Sequence, residues 1–191
     1  MGRPKQFDPD EALDAAVAVF REHGYAGSSA EMLTSAMGIG KQSLYNTYGG
    51  KWPLYCAALG RYAEDETGEH LKALRTGKTA MDGLERLFKR VAATAHQPCL
   101  GVGSVQEFGT DSEGSAELIE VRAPAGQALQ AALLERVRQA QADGELSASL
   151  DPKVAVSFVF AQIAALRLTA RGGAGETELR ALARLSLQAL R

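Results

Sequence analysis

Between residues 28 and 48 the chain holds two helical segments joined by only three residues, Gly38-Ile39-Gly40. Each segment is about two turns long, and helices that short are marginal alone because nucleation outweighs so few hydrogen bonds. Each must therefore lean on the other or on a neighbour. Ser28 with Glu31 three residues on is a capping-box start, Leu33, Ala36 and Met37 supply one inner face, and Gly38 is a left-handed stop. The second segment begins at Lys41 and ends at Gly49-Gly50, with Leu44 and Tyr48 spaced as inner anchors. The pair reads as a helix-turn-helix. The competing reading is an ordinary hairpin in a bundle. It fits less well, because the second segment has too few apolar positions to build core unless Lys41, Gln42, Ser43, Tyr45, Asn46 and Thr47 face something else.

The rest of the chain extends the helical pattern, and strand signals are almost absent. Asp8-Pro9-Asp10-Glu11 opens a first helix whose stripe is Leu13, Ala16, Val17 and Phe20, with Gly24 as its stop. A long helix is predicted from Lys51 to about Leu74, another from the Thr79 cap to His96, and a short one from Cys99 to Phe108. The next runs through Leu118, Leu129, Leu133 and Val137 to Gly144, where Pro124 is expected to kink or divide it. Asp151-Pro152 launches a helix to Arg171 that is apolar nearly all round and so must be covered on two sides, and residues 176–190 close the chain. The expectation is an all-α protein: a three-helix domain over residues 1–50 and a larger helical bundle over 51–191.

Gly38 to Leu54, GIGKQSLYNTYGGKWPL, resembles the recognition segment of the TetR family of transcriptional regulators, and GYAGSSAEMLTSAM before it resembles that family's helix 2. The likeness implies that Tyr45 and Lys51 contact phosphates, that Ser28 or Ser29 touches the DNA backbone, and that Lys41, Gln42 and Asn46 are base-reading candidates. It further implies double-stranded operator DNA as partner, a homodimer paired through the helices from about 151 and 176, and an unidentified small-molecule inducer. The chain departs from the pattern at Gly40, Thr47 and Trp52-Pro53, which stand where Ser or Thr, His, and an acidic pair are usual.

Charge is consistent with this only by position. The net charge is −2, whereas nucleic-acid binders are often basic. Over residues 1–51 five basic residues face six acidic ones; Asp8, Asp10, Glu11 and Glu31 fall at helix starts, where they suit the dipole, while Arg3, Lys5, Lys41 and Lys51 have no such local role.

For the ligand, Met81, Phe88, Cys99, Phe108, Phe158 and Gln162 are candidate pocket linings, each equally readable as core. Cys99 is also a candidate redox or electrophile sensor, although a small buried hydrophobe explains it more simply. His70, four residues after Glu66, reads as part of an exposed charged face rather than a metal site. No nucleophile elbow, phosphate loop, dinucleotide fingerprint or HExxH motif is present, so neither an enzyme nor a cofactor is expected. A helical enzyme and an interaction protein that does not touch DNA remain the rivals from other classes. The N-terminus leads into an acidic amphipathic stretch rather than an apolar h-region, and the apolar run from Val154 to Ala170 contains Gln162 and Arg167. A cytoplasmic protein with no membrane span is therefore expected.

Overall fold

The computed structural model describes residues 7–109, 112 and 114–191; Arg3 and Lys5 lie outside them. The described residues form helices and no strands: α1 (Pro9–Gly27), α2 (Ala30–Met37), α3 (Lys41–Tyr48), α4 (Lys51–Arg75), α5 (Ala80–Thr94), α6 (Leu100–Phe108), α7 (Ser115–Ala142), α8 (Pro152–Arg171) and α9 (Glu176–Gln188). The chain divides into two compact units. One comprises residues 1–65 and 98–124, the other 66–97 and 125–191. Packing thus groups α6 and the start of α7 with the N-terminal helices, a division distinct from the one by role expected at residue 50.

Local chemistry sets the helix ends. Asp8 caps α1 by accepting from the Asp10 amide, Thr79 caps α5 through the Asp82 amide, and Asp151 caps α8 through the Lys153 and Val154 amides. Gly24 adopts a left-handed φ of 69° that breaks the regular course of α1, after which one more turn follows. The cap of α2 is Ser29 and not Ser28: the Ser29 hydroxyl accepts from the Met32 amide, while the Ser28 hydroxyl donates to the Gly24 carbonyl and the residue is fully buried. The extra turn after Gly24 consumes Ser28 as the end of α1, which shifts the start of α2 by one residue. Pro124 does not divide α7. One missing amide is tolerated there because Leu118 on one side and Ala125 and Leu129 on the other are buried and anchor both halves.

In the first unit Ala12, Ala16 and Phe20 of α1, Leu33 and Met37 of α2, Leu44 of α3 and Leu54, Tyr55 and Leu59 of α4 make one apolar core. In the second, Leu84, Leu87, Phe88 and Val91 of α5 pack with Leu133 and Val137 of α7, Val156 and Val159 of α8 and Leu179 of α9. The junction of α4 and α5 is backbone against backbone: a Cβ on Gly83 would lie 2.5 Å from the Leu74 carbonyl oxygen, and one on Gly77 would lie 2.3 Å from the Gly83 nitrogen.

The second unit also contains an ionic cluster that corrects the expectation of an exposed face around His70. His70 is 4% exposed. Glu66 accepts from both terminal guanidinium nitrogens of Arg90 at 3.0 Å and pairs with the buried Arg167. Periodicity on α4 alone could not show this, because Arg90 and Arg167 arrive from α5 and α8.

Helix α8, at 20 residues, is long and apolar enough by length and composition to cross a membrane, yet only 33% of its apolar window is buried within the monomer. Its uncovered positions include Val154, Ala161, Ala165 and Leu168, with Phe158 half-buried among them.

Candidate nucleic-acid interface

The three N-terminal helices are held so that one face of α3 stays free. Leu44 is buried beneath it, and the Tyr48 hydroxyl donates to the Pro9 carbonyl at 3.0 Å, tying the end of α3 to the start of α1. With those two positions turned inward, helical geometry sends Lys41, Gln42, Tyr45 and Asn46 outward, and all four are exposed, Tyr45 by 50%. Ser43 and Thr47 lie at the flanks, half-buried. Gly40 offers no side-chain cap, so the first amides of α3 are without the hydroxyl partner that a serine or threonine would bring.

Gln42 and Asn46 are one turn apart, and the Gln42 amide donates to the Asn46 side-chain oxygen at 3.0 Å. Side-chain amides can each donate and accept, the pairing that suits adenine edges. Ser29 is exposed at the start of α2, whereas the buried Ser28 has no surface to offer. Lys51, in the first turn of α4, rests its ammonium 4.4 Å from the centroid of the Tyr25 ring. An aromatic face offsets the unfavourable meeting of a cation with a helix N-terminus.

Beside this surface the first unit is stiffened by aromatic rings. Phe20, Tyr25, Trp52, Tyr55 and Phe108 interlock with centroids 5.0 to 6.0 Å apart. The Glu107 carboxylate of α6 accepts the Tyr25 and Ala26 amides at 2.9 and 2.6 Å, which fastens α6 to the last turn of α1. Cys56 is buried against Glu117, and burial followed by that carboxylate pushes its thiol up to about 11. Cys99 is half-buried, and its sulfur accepts the Val102 amide at the start of α6. A capping sulfur is a role that spacing alone did not suggest.

Comparison with known proteins agrees with this geometry. The family model for bacterial regulatory proteins of the tetR family matches residues 12–57. A TetR family transcriptional regulator, CifR, solved as a cysteine mutant complexed with a 26-base-pair operator, superposes with a TM-score of 0.83 at 30% identity over all of both chains. The chain belongs to the TetR family. The Escherichia coli repressor ComR is 29% identical over 98% of this chain and 90% of its own length. The Bacillus subtilis HTH-type regulator YezE is 35% identical, over 51% of this chain and half of that protein.

Within this TetR-family fold the six candidate ligand residues belong to both units. Cys99 and Phe108 lie in the first unit, and Met81, Phe88, Phe158 and Gln162 in the second. Phe88 is fully buried and floors a cavity of about 330 Å³ between α5 and α9, rimmed by Lys89, Arg180 and Arg184. Met81 is nearly buried in the core, Phe158 packs at its margin, and the Gln162 side-chain oxygen accepts from the Ser186 hydroxyl at 3.0 Å. Sequence reasoning missed Tyr25, Trp52 and Glu117, which line a second groove with Phe108. The signal available was the unusual Trp52-Pro53 after Lys51.

Proposed function

We propose that the chain is a dimeric transcriptional repressor that reads a two-fold symmetric operator through α3 and is released by a small molecule. One observation carries the DNA reading: α3 is anchored by Leu44 and Tyr48 while Lys41, Gln42, Tyr45 and Asn46 are exposed together on one face. In the proposed contact Lys41, Gln42 and Asn46 meet base edges. Tyr45 and Lys51 meet phosphates, Ser29 meets the backbone at the start of α2, and Ser43 and Thr47 flank the groove. CifR, seen on its operator, and ComR, named a repressor, support the direction of control.

One short helix reads too few bases for a unique site, so two copies about one helical turn apart are required. The apolar stripe on α8, Val154, Phe158, Ala161, Ala165 and Leu168, recurs every three or four residues and is uncovered except at the half-buried Phe158, and Leu185 of α9 is exposed as well. Two such faces bury each other in a four-helix bundle. A ligand that favours one spacing of the two α3 helices over another needs a coupling of only about 1 to 3 kcal/mol to act as a switch.

Gel-shift titration against DNA flanking the chain's own gene tests the reading. Lys51→Ala and Tyr45→Phe should weaken binding to every sequence and flatten the salt dependence, while Gln42→Ala and Asn46→Ala should change which sequence is preferred. If Lys51→Ala left affinity and salt slope untouched, the phosphate role would be withdrawn. A thiol-sensing version of the same regulator is favoured by the placement of the half-buried Cys99 sulfur as the cap of α6. In that version peroxide releases DNA from the wild type and not from Cys99→Ser; equal release from both ends it.

A further inference from the structure

The first unit carries a groove of about 450 Å³ lined by Tyr25, Trp52, Phe108, Gly114 and Glu117. We propose that this groove binds small organic cations with an apolar body, of the quaternary ammonium or protonated amine class. The rings of Tyr25, Trp52 and Phe108 stand 5.3 to 5.7 Å apart at interplanar angles of 88°, 68° and 56°. They therefore present π faces in different directions, and all three are only half-buried. An aromatic face attracts a cation held within about 6 Å of its centroid.

One ring of the groove already takes a cation of this chain. The Lys51 ammonium lies over Tyr25 at 4.4 Å, which shows that this ring attracts a cation. Glu117 adds a full negative charge: it accepts the Trp52 indole N–H at 2.7 Å and is exposed to solvent. Gly114 approaches Trp52 so closely that a Cβ there would lie 2.4 Å from the ring. A neutral molecule gains apolar burial in such a site, and an anion meets Glu117 and three electron-rich faces. Only a cation gains from every element of the lining.

A bound cation shares the Tyr25 ring with Lys51, one of the proposed phosphate contacts, and repels it. That consequence rests on the regulator reading above, whereas the site itself does not, so binding is measured separately from DNA affinity. Trp52 is the chain's only tryptophan, so its fluorescence reports on the groove directly. The 191-residue chain is titrated at constant ionic strength with benzyltrimethylammonium, benzyl alcohol and benzenesulfonate, which share a ring and differ in charge.

The cation should give a saturable change about tenfold tighter than the alcohol, and the sulfonate none. Glu117→Gln should weaken the cation about tenfold, and Lys51→Met should tighten it severalfold by removing a like charge from the shared Tyr25 ring. Equal affinity for cation and alcohol in the wild type overturns the proposal, as does a cation affinity that neither substitution moves. Absence of any response beside intact DNA binding rejects the groove and leaves the regulator. Saturable, cation-selective binding without DNA recognition does the reverse.

Discussion

At Tyr55 a phenol hydroxyl is fully buried with no hydrogen-bond partner among the described residues. Burial, reinforced by Glu107, pushes its pKa well above the usual tyrosine value, so it stays neutral. The ring earns its place by packing edge-on against Phe20 at 5.0 Å. Tyr55→Phe keeps the ring and removes an unsatisfied polar atom, and should raise stability by about 1 kcal/mol, read as a higher thermal midpoint. His70 presents the opposite case. An arginine can only donate, so the His70 Nδ1 accepts from Arg90 at 2.9 Å and the ring proton sits on Nε2, towards Glu66. Burial first, opposed by Glu66 and reinforced by Arg90 and Arg167, brings the imidazole down to about 4.

The unfolded chain protonates this histidine near 6.5, so between about pH 6.5 and 4 it binds more protons than the native state and stability falls as pH falls. Below that range the loss from His70 is complete. Burial would raise Glu66, but Arg90, Arg167 and His70 outweigh it and hold the carboxyl at about 2, so a further loss runs from 4.5 downwards. His70→Gln should therefore melt lower than wild type at pH 7.5 yet lack the decline between pH 6.5 and 4.5. Parallel curves for the two proteins across that window would show that His70 does not govern it.

Among the elements, the contact of α4 with α5 is the one that depends most on a single residue type. With Gly83 so close to the Leu74 carbonyl, a methyl group must push two backbones apart rather than turn a side chain aside. Gly83→Ala should cost about 1 to 3 kcal/mol in denaturant unfolding, although alanine is the better helix former by about 1 kcal/mol at an unconstrained site. An unchanged midpoint would mean that the two helices can separate at little cost. On α3 the Gln42–Asn46 pair is exposed and therefore weak, and each partner should lose little stability on truncation while altering sequence preference.

At the scale of the whole molecule, α8 is the element that a single chain leaves incomplete. Its inward side is committed to protein: Val156, Val159, Leu166 and Ala170 are buried, Arg167 joins the ionic cluster, and Gln162 bonds Ser186. Its outward side carries the apolar stripe of Val154, Ala161, Ala165 and Leu168, all exposed, with Lys153 and Ser157 exposed near its start. Ala161→Arg would place a charge at the centre of the proposed dimer face, where no acidic partner is available from the same stripe. Light scattering after size exclusion should show the monomer mass for Ala161→Arg and twice that mass for wild type, with operator affinity falling in step. A monomeric wild type would refute the pairing.

The helices, their caps and the free face of α3 were legible in the chain because they depend on neighbours in sequence. Asp8, Thr79 and Asp151 each bond an amide two or three residues away, and the spacing of Leu44 and Tyr48 dictates which side of α3 points out. Even there the start of α2 moved from Ser28 to Ser29, since the turn after Gly24 was decided by the fold of α1 and its tether to Glu107. What only the tertiary structure decided is which distant residues meet: Glu66 with Arg90 and Arg167, and Trp52 with Tyr25, Phe108 and Glu117. Periodicity reports that a side chain faces inward without naming its partner. A buried charge or a ring in a groove draws its chemistry from that partner, so the ionic cluster and the cation groove could not be read from order alone.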